Sequence, residues 1–330
     1  MKQFILLLIG FITWGVIEAQ NLPKVGYYDW HPNERVNFVR IGQFQISIHY
    51  KVDTATLLPF IDNETAHMER LEKCLNIAAA NNIQLLVFPE LTLALSKNTR
   101  EKAMKLMQRF STQHEAIIIG GTYYDSERHG RCVTVLPEKT CLSYKIRPAI
   151  FEASSLKNKG MVGADSLYVF RTKYGNFMTL VCVDMISDDA NYMARYLSNR
   201  GEIEMLFNIQ YNSSPAEFLC EASSMVMRHP LFAILTNEAS SGYSGLTGSL
   251  QPDQKKTVQT ILPKYFKDAN NNTIDGYKNL LAVIEPKEEE ALLYEINLCC
   301  IRVPRSTNAP DQGYPTLRNL QRIKITPTKN

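Results

Sequence analysis

A carboxylate, an ammonium group and a thiol each end or interrupt an apolar run in this sequence: Glu90 in LLVFPELTL, Lys145 in TCLSYKIRP and Cys182 in FMTLVCVDMI. Taken singly, each has an ordinary structural explanation. Glu90 suits a solvent-facing acid in the loop after a strand, and Lys145 a surface lysine. Cys182 suits a small core residue, since free cysteine is among the most buried residue types. Taken together, they are the parts of a nucleophilic site: a thiol to attack, a carboxylate to take its proton, and a cation to meet developing negative charge. A thiol with its ordinary pKa of about 8.5 is only a few per cent thiolate at neutral pH, so it needs such neighbours. The seven cysteines (Cys74, Cys132, Cys141, Cys182, Cys220, Cys299, Cys300) form no C-x-x-C pair, and the six histidines are scattered. No metal-ligand spacing is therefore present, and no cofactor is called for.

The elements that must position these groups alternate in type. RVNFVRIGQFQISIHY (35–50) alternates apolar with polar and β-branched residues, which predicts a strand. Asn63-Glu64-Thr65 opens a helix with Met68, Leu71, Leu75 and Ala78 at helical spacing, ended by Asn81-Asn82. IQLLVF follows as a strand, then a helix over 97–113, then the strand EAIIIGGTYY. RCVTVL and TCLSYKI, joined at Pro137-Glu138-Lys139, predict a hairpin whose second arm ends at Lys145. FMTLVCVDMI predicts a strand entered from a Tyr174-Gly175-Asn176 turn; helices over 188–200 and 215–229 alternate with the strands EMLFNIQYN and FAILTNEA, and LLAVIEP and ALLYEINL are late strands. Strands separated by helices imply a layered α/β domain with its chemistry at strand ends.

FPELTL, SYKIRP and LVCVD, in that order, resemble the Glu-Lys-Cys triad motifs of the nitrilase, or carbon-nitrogen hydrolase, superfamily; 55 residues separate Glu90 from Lys145 and 37 separate Lys145 from Cys182. Supporting similarity in VRIGQFQIS, NIQYNSSP and LLYEINL extends the resemblance over roughly residues 36 to 300. It implies a four-layer αββα sandwich, often paired with a second subunit, and hydrolysis of a non-peptide C–N bond in a small-molecule amide or related substrate. By carry-over, Glu90 is the general base and acid, Lys145 the oxyanion stabiliser and Cys182 the nucleophile, with the backbone N–H of Val183 as a second oxyanion donor. Many relatives carry a second glutamate after the lysine, a role open to Glu152, seven positions on, against that of a plain loop acid. Asp184 matches a family acid that holds the turn after the cysteine. Tyr211, Asn212 and Tyr123 are the candidate substrate walls, although an aromatic at 123 also suits plain core. Nitrile hydrolysis and acyl transfer to an amine are alternatives within the superfamily. A secreted, catalytically inactive binding protein is the alternative outside it.

Met1-Lys2-Gln3 precedes an apolar run from Phe4 to Ile17 closed by Ile17-Glu18-Ala19, the layout of a signal peptide cleaved after Ala19. The run is shorter than the roughly 20 residues of a bilayer span, so the expectation is a secreted or periplasmic protein with no stable membrane span. That setting favours an exported amidase, similar in placement to the vanin and biotinidase group. A formal net charge of +3 without a long basic block argues against nucleic acid as a partner. The resulting division is a leader at 1–19, an N-terminal extension at 20–34, a carbon-nitrogen hydrolase domain at 35–303 and a C-terminal tail at 304–330. Cys132 and Cys141, on the two hairpin arms, are one candidate disulfide if the register brings them opposite each other. Asn63, Asn212 and Asn271 open glycosylation triplets.

Overall fold

The computed structural model describes residues 22–55, 58–153, 160–229, 231–248, 250, 260–268, 270, 272–298 and 317–325. The leader, Asn271, Cys299, Cys300 and residues 301–316 of the C-terminal segment lie outside them. Strands buried at every position are covered on both faces, and such strands form the centre of two seven-stranded sheets. One sheet runs in the order β16-β15-β2-β5-β6-β7-β8. Its members are β2 (Phe38–Gln45), β5 (Leu85–Val87), β6 (Ile117–Tyr124), β7 (Gly130–Leu136), β8 (Lys139–Tyr144), β15 (Glu290–Asn297) and β16 (Leu317–Lys324). The other runs β1-β9-β10-β11-β12-β13-β14, made of β1 (Lys24–Trp30), β9 (Ser166–Thr172), β10 (Gly175–Val181), β11 (Met205–Ile209), β12 (Phe232–Thr236), β13 (Gly245–Gly248) and β14 (Leu280–Val283). A separate hairpin pairs β3 (Tyr50–Val52) with β4 (Pro59–Ile61).

The alternation of side chains along β5 shows how the layers stack. Leu85 and Val87 pack into the cluster shared with β10 and β11 of the other sheet, whereas Leu86 and Phe88 pack beneath helices α1 (Glu64–Ala80) and α2 (Lys97–His114). Helices α4 (Asp188–Asn199) and α5 (Pro215–Arg228) cover the far sheet through Leu197, Phe218 and Leu219. The result is four layers, helices on sheet on sheet on helices. Helix α1 begins where the sequence predicts: the Asn63 side chain accepts a hydrogen bond from the Ala66 N–H at 3.1 Å, an N-cap. Gly175, at φ +99°, makes the turn into β10; a Cβ there would lie 2.9 Å from Leu298 Cδ1.

Both chain ends contribute more than the sequence predicts. Residues 24–30, read as part of an extension, form β1 in parallel register with β9. Residues 317–324, read as part of a tail, form β16, antiparallel to β15. Among the described residues both are edge strands with one ladder side unpaired, and their polar, partly exposed patterns suit an edge. In the β7–β8 hairpin, Cys132 pairs with Ser143 and Thr134 with Cys141, so the two cysteines stand two pairs out of register and both are free thiols.

Candidate active site

Three strand ends of the two facing sheets converge on one buried cluster. Glu90 follows β5 in a loop tied to the neighbouring strand: Thr122 Oγ1 accepts from the Leu91 N–H at 3.0 Å, and the Leu93 N–H donates to the Thr122 carbonyl at 3.1 Å. This approach depends on Gly121, at φ +89°, where a Cβ would lie 2.5 Å from the Pro89 carbonyl oxygen. Leu91 itself sits at φ +64°, a conformation non-glycine residues seldom adopt.

Lys145, one residue beyond β8, is among the largest fully buried side chains, with 1% exposure. Its Nζ donates to Glu90 Oε1 at 2.8 Å and lies 3.0 and 2.9 Å from the two oxygens of Glu152. Glu90 Oε2 accepts from the Tyr211 N–H at 3.0 Å. Glu152, on the short helix α3 (Ile150–Ala153), accepts from the Ala149 N–H at 2.6 Å and from the Tyr124 hydroxyl. Every carboxylate oxygen in the cluster therefore faces a donor, as burial of charge requires. Burial opposes the charge on Lys145, but Glu90 and Glu152 outweigh it and hold the ammonium well above its ordinary pKa. Burial raises the Glu90 carboxyl against the pull of Lys145.

Cys182 does not continue the strand, as the apolar run had suggested. β10 ends at Val181, and Cys182, at φ +49°, begins a 3₁₀ turn that extends to Ile186. Strain of this kind persists only where surrounding contacts enforce it, and two side chains supply them. Asn208 Nδ2 donates to the Cys182 carbonyl at 3.1 Å. Asp184 accepts from the backbone N–H groups of Ile146, Arg147 and Val181, at 2.8 Å for Arg147, which ties the turn to the segment after Lys145. Val183 lies in the first turn of this helix, where N–H groups have no intrahelical acceptor. Burial, followed by Glu90, raises the Cys182 thiol well above its ordinary pKa, while Lys145 pulls it down. At rest the thiol therefore keeps its proton.

Asp184 is fully buried, and burial pushes its carboxyl from 3.8 up to about 7 despite its backbone donors. Asp184→Asn would turn an amide NH₂ toward backbone N–H groups. Leaving buried donors unsatisfied is expected to cost about 1–3 kcal/mol in urea unfolding. Because the folded value lies above the unfolded one, the wild type loses stability through this group as pH rises from 3.8 to about 7. The Asp184→Asn variant should lack that slope; identical pH dependence in both proteins would refute the assignment.

The structure brings Glu90, Lys145 and Glu152 into direct contact, and places Cys182 within their electrostatic influence. The backbone N–H and ring of Tyr211 reach the site, the ring as part of the wall of a small cavity that Glu90, Glu152 and Tyr124 also line. Two expectations are corrected. Tyr123 is not in the wall of that cavity and lies under the Arg100 guanidinium, 4.2 Å from its ring centroid. The cause is a bulge: between the pairs Ile119–Thr134 and Thr122–Cys132, β6 has two residues and β7 has one, and the alternation changes phase. Tyr124 thus takes the inward place. Asn212 does not line the cavity: its Oδ1 caps the Ser214 N–H at 2.9 Å, and its backbone exchanges hydrogen bonds with Asn237. Sequence reasoning missed Tyr124 and Asn208; the Gly120-Gly121 pair inside a strand was the available sign of the bulge.

The fold and the cluster together define an αββα sandwich with an acid–lysine–thiol centre at its strand ends. Among solved structures, that architecture is the nitrilase type. The chain is similar to Nit3 of Saccharomyces cerevisiae, a member of branch 10 of the nitrilase superfamily, at 13% identity and a TM-score of 0.53 over 79% of this chain and 91% of that one. It is similar to a carbon-nitrogen hydrolase superfamily protein of Xanthomonas campestris with an arsenic adduct in its active site, at 12% and 0.54 over 81% and 93%. It is also similar to glutamine-dependent NAD+ synthetase of Acinetobacter baumannii, at 12% and 0.53, where it covers 83% of its own length and about half (49%) of that chain. No family model matches the sequence, and no curated protein does. At these identities the likeness concerns the fold.

Proposed function

We propose that the protein hydrolyses a non-peptide carbon-nitrogen bond of a small amide through a thioester on Cys182. The observation that carries this reading is the Lys145 ammonium fixed between Glu90 and Glu152 beside a cysteine held at positive φ. As the thiol sulfur bonds to the amide carbon, its proton passes to Glu90, and the carbonyl oxygen becomes an oxyanion that meets Lys145 and the Val183 N–H. Lys145 keeps its proton throughout and acts by charge, while Glu152 positions it. Collapse breaks the C–N bond, and the leaving nitrogen takes the proton from Glu90. Water, deprotonated by Glu90, then attacks the thioester, and the departing sulfur regains its proton from the same carboxyl. Proton transfers of this kind are worth about 10² to 10⁴ in rate.

Intact-mass analysis after exposure to an amide panel should show an acyl adduct on the wild type and none on Cys182→Ala. Equal adducts on both proteins would show that Cys182 is not the nucleophile. Export with cleavage after Ala19 and pairing with a second copy are proposed on the leader pattern and the resemblance alone; N-terminal sequencing of the mature protein and sedimentation velocity test them.

A further inference from the structure

The cavity above the cluster is small, about 60 Å³. Such a space suits a small group and not a long chain. Its outer wall comes from an element with no part in the chemistry proposed above, the β3–β4 hairpin, through Tyr50, Val52, Leu58 and Pro59. The Tyr50 ring meets Tyr211 edge-on, with centroids 5.1 Å apart, which fixes the hairpin against the loop that donates to Glu90. Among the described residues lining the cavity there is no Lys, Arg or His, and the charged groups are the carboxylates of Glu90 and Glu152. The nearby ammonium of Lys145 is already shared between those two.

We infer that the β3–β4 hairpin is the specificity-determining wall of this site and that the acyl group it admits is short, uncharged and apolar. The inference deepens the hydrolase reading and rests on it. An acyl chain ending in a carboxylate would meet two like charges and aliphatic walls with no cation to pair it, and such juxtaposition discriminates strongly between ligands. A long acyl chain would run into the hairpin residues Tyr50, Val52, Leu58 and Pro59.

Two reagents of nearly equal size read the charge of the site without any turnover. Iodoacetamide and iodoacetate both form an S–C bond at Cys182 with loss of iodide, the thiol proton passing to Glu90 or water. The ratio of their rates at Cys182 is expected to exceed that for N-acetylcysteine by about tenfold or more, a 1.4 kcal/mol discrimination. Val52 is 48% exposed, so Val52→Lys should fold and bring the ratio back toward the free-thiol value. A ratio equal to that of the free thiol in the wild type, or no alkylation by either reagent, would overturn the inference. Turnover adds a second readout. Butyramide should be hydrolysed at least tenfold faster than malonamate, and Val52→Ala and Tyr50→Ala should raise hexanamide turnover relative to butyramide by about tenfold, the scale of pocket discrimination per methylene. An unchanged chain-length ratio would remove the hairpin from specificity. If no amide turns over while the alkylation ratio holds, the hydrolase reading fails and the charge character of the site stands.

Discussion

Replacing Lys145 by methionine is expected to lower folding stability by about 3–5 kcal/mol at neutral pH, because it leaves two buried carboxylates without their cation. Glu90 and Glu152 share that one ammonium, and all three side chains are buried. The direction with pH is fixed by the shifts. Lys145 is held above its ordinary value by the two glutamates, so its contribution is fully present below about 10.4 and is lost only as pH rises through the raised value. Below neutrality the Lys145→Met variant should recover in part, since burial raises the Glu90 carboxyl and its protonation lessens the unpaired charge. Urea unfolding followed by circular dichroism between pH 4.5 and 8 reads both effects. A deficit that stays constant over this range would mean that the glutamates are not the partners that matter. Turnover should fall by about 10²–10³, the cost of losing one oxyanion-stabilising group.

Glu90→Gln should reduce kcat/KM by about 10²–10⁴ and erase the acid limb of the pH profile. In the wild type, burial raises the Glu90 carboxyl above 4.5 in spite of Lys145, so the base form disappears, and activity with it, as pH falls through a value above 4.5. The same shift makes ionised Glu90 a cost to folding: the stability associated with its proton is present below the unfolded value and lost as pH rises to the folded one. The glutamine variant should therefore show a flatter stability profile above pH 4.5. Persistence of the acid limb in Glu90→Gln would place the base elsewhere, with Glu152 the first alternative.

Glu90, Lys145 and Cys182 drew attention in the sequence because each broke an apolar run, and a polar group there must be either exposed or compensated. The layered α/β fold was legible for a related reason: the central strands and the covering helices carry strong, different periodicities. What was not legible lay where local pattern and tertiary position part. Tyr123 and Tyr124 are adjacent, and only the added residue at the bulge of β6 decides which one faces the site. β1 and β16 look like polar segments because an edge strand of this chain is half solvated. Asn208 reads as an ordinary residue of a strand, yet its amide holds the carbonyl of Cys182 from the next strand. The turn that begins at Cys182 sits inside a continuous apolar stretch, and periodicity alone extends the strand through it.

The pairing of β2 with β15 has a consequence for how the chain reaches its native state. The first strand of its sheet in chain order, β2, finds one of its two neighbours near the far end of the sequence, and Tyr294 donates to Gln43 across a separation of 251 residues. Non-local pairing of this kind is slow, because loop closure must precede the contacts that reward it. Until β15 has emerged from the ribosome, one edge of β2 lacks its native partner. A nascent or truncated chain is then a substrate for chaperones and a risk for aggregation, and truncation before residue 290 should yield no soluble domain.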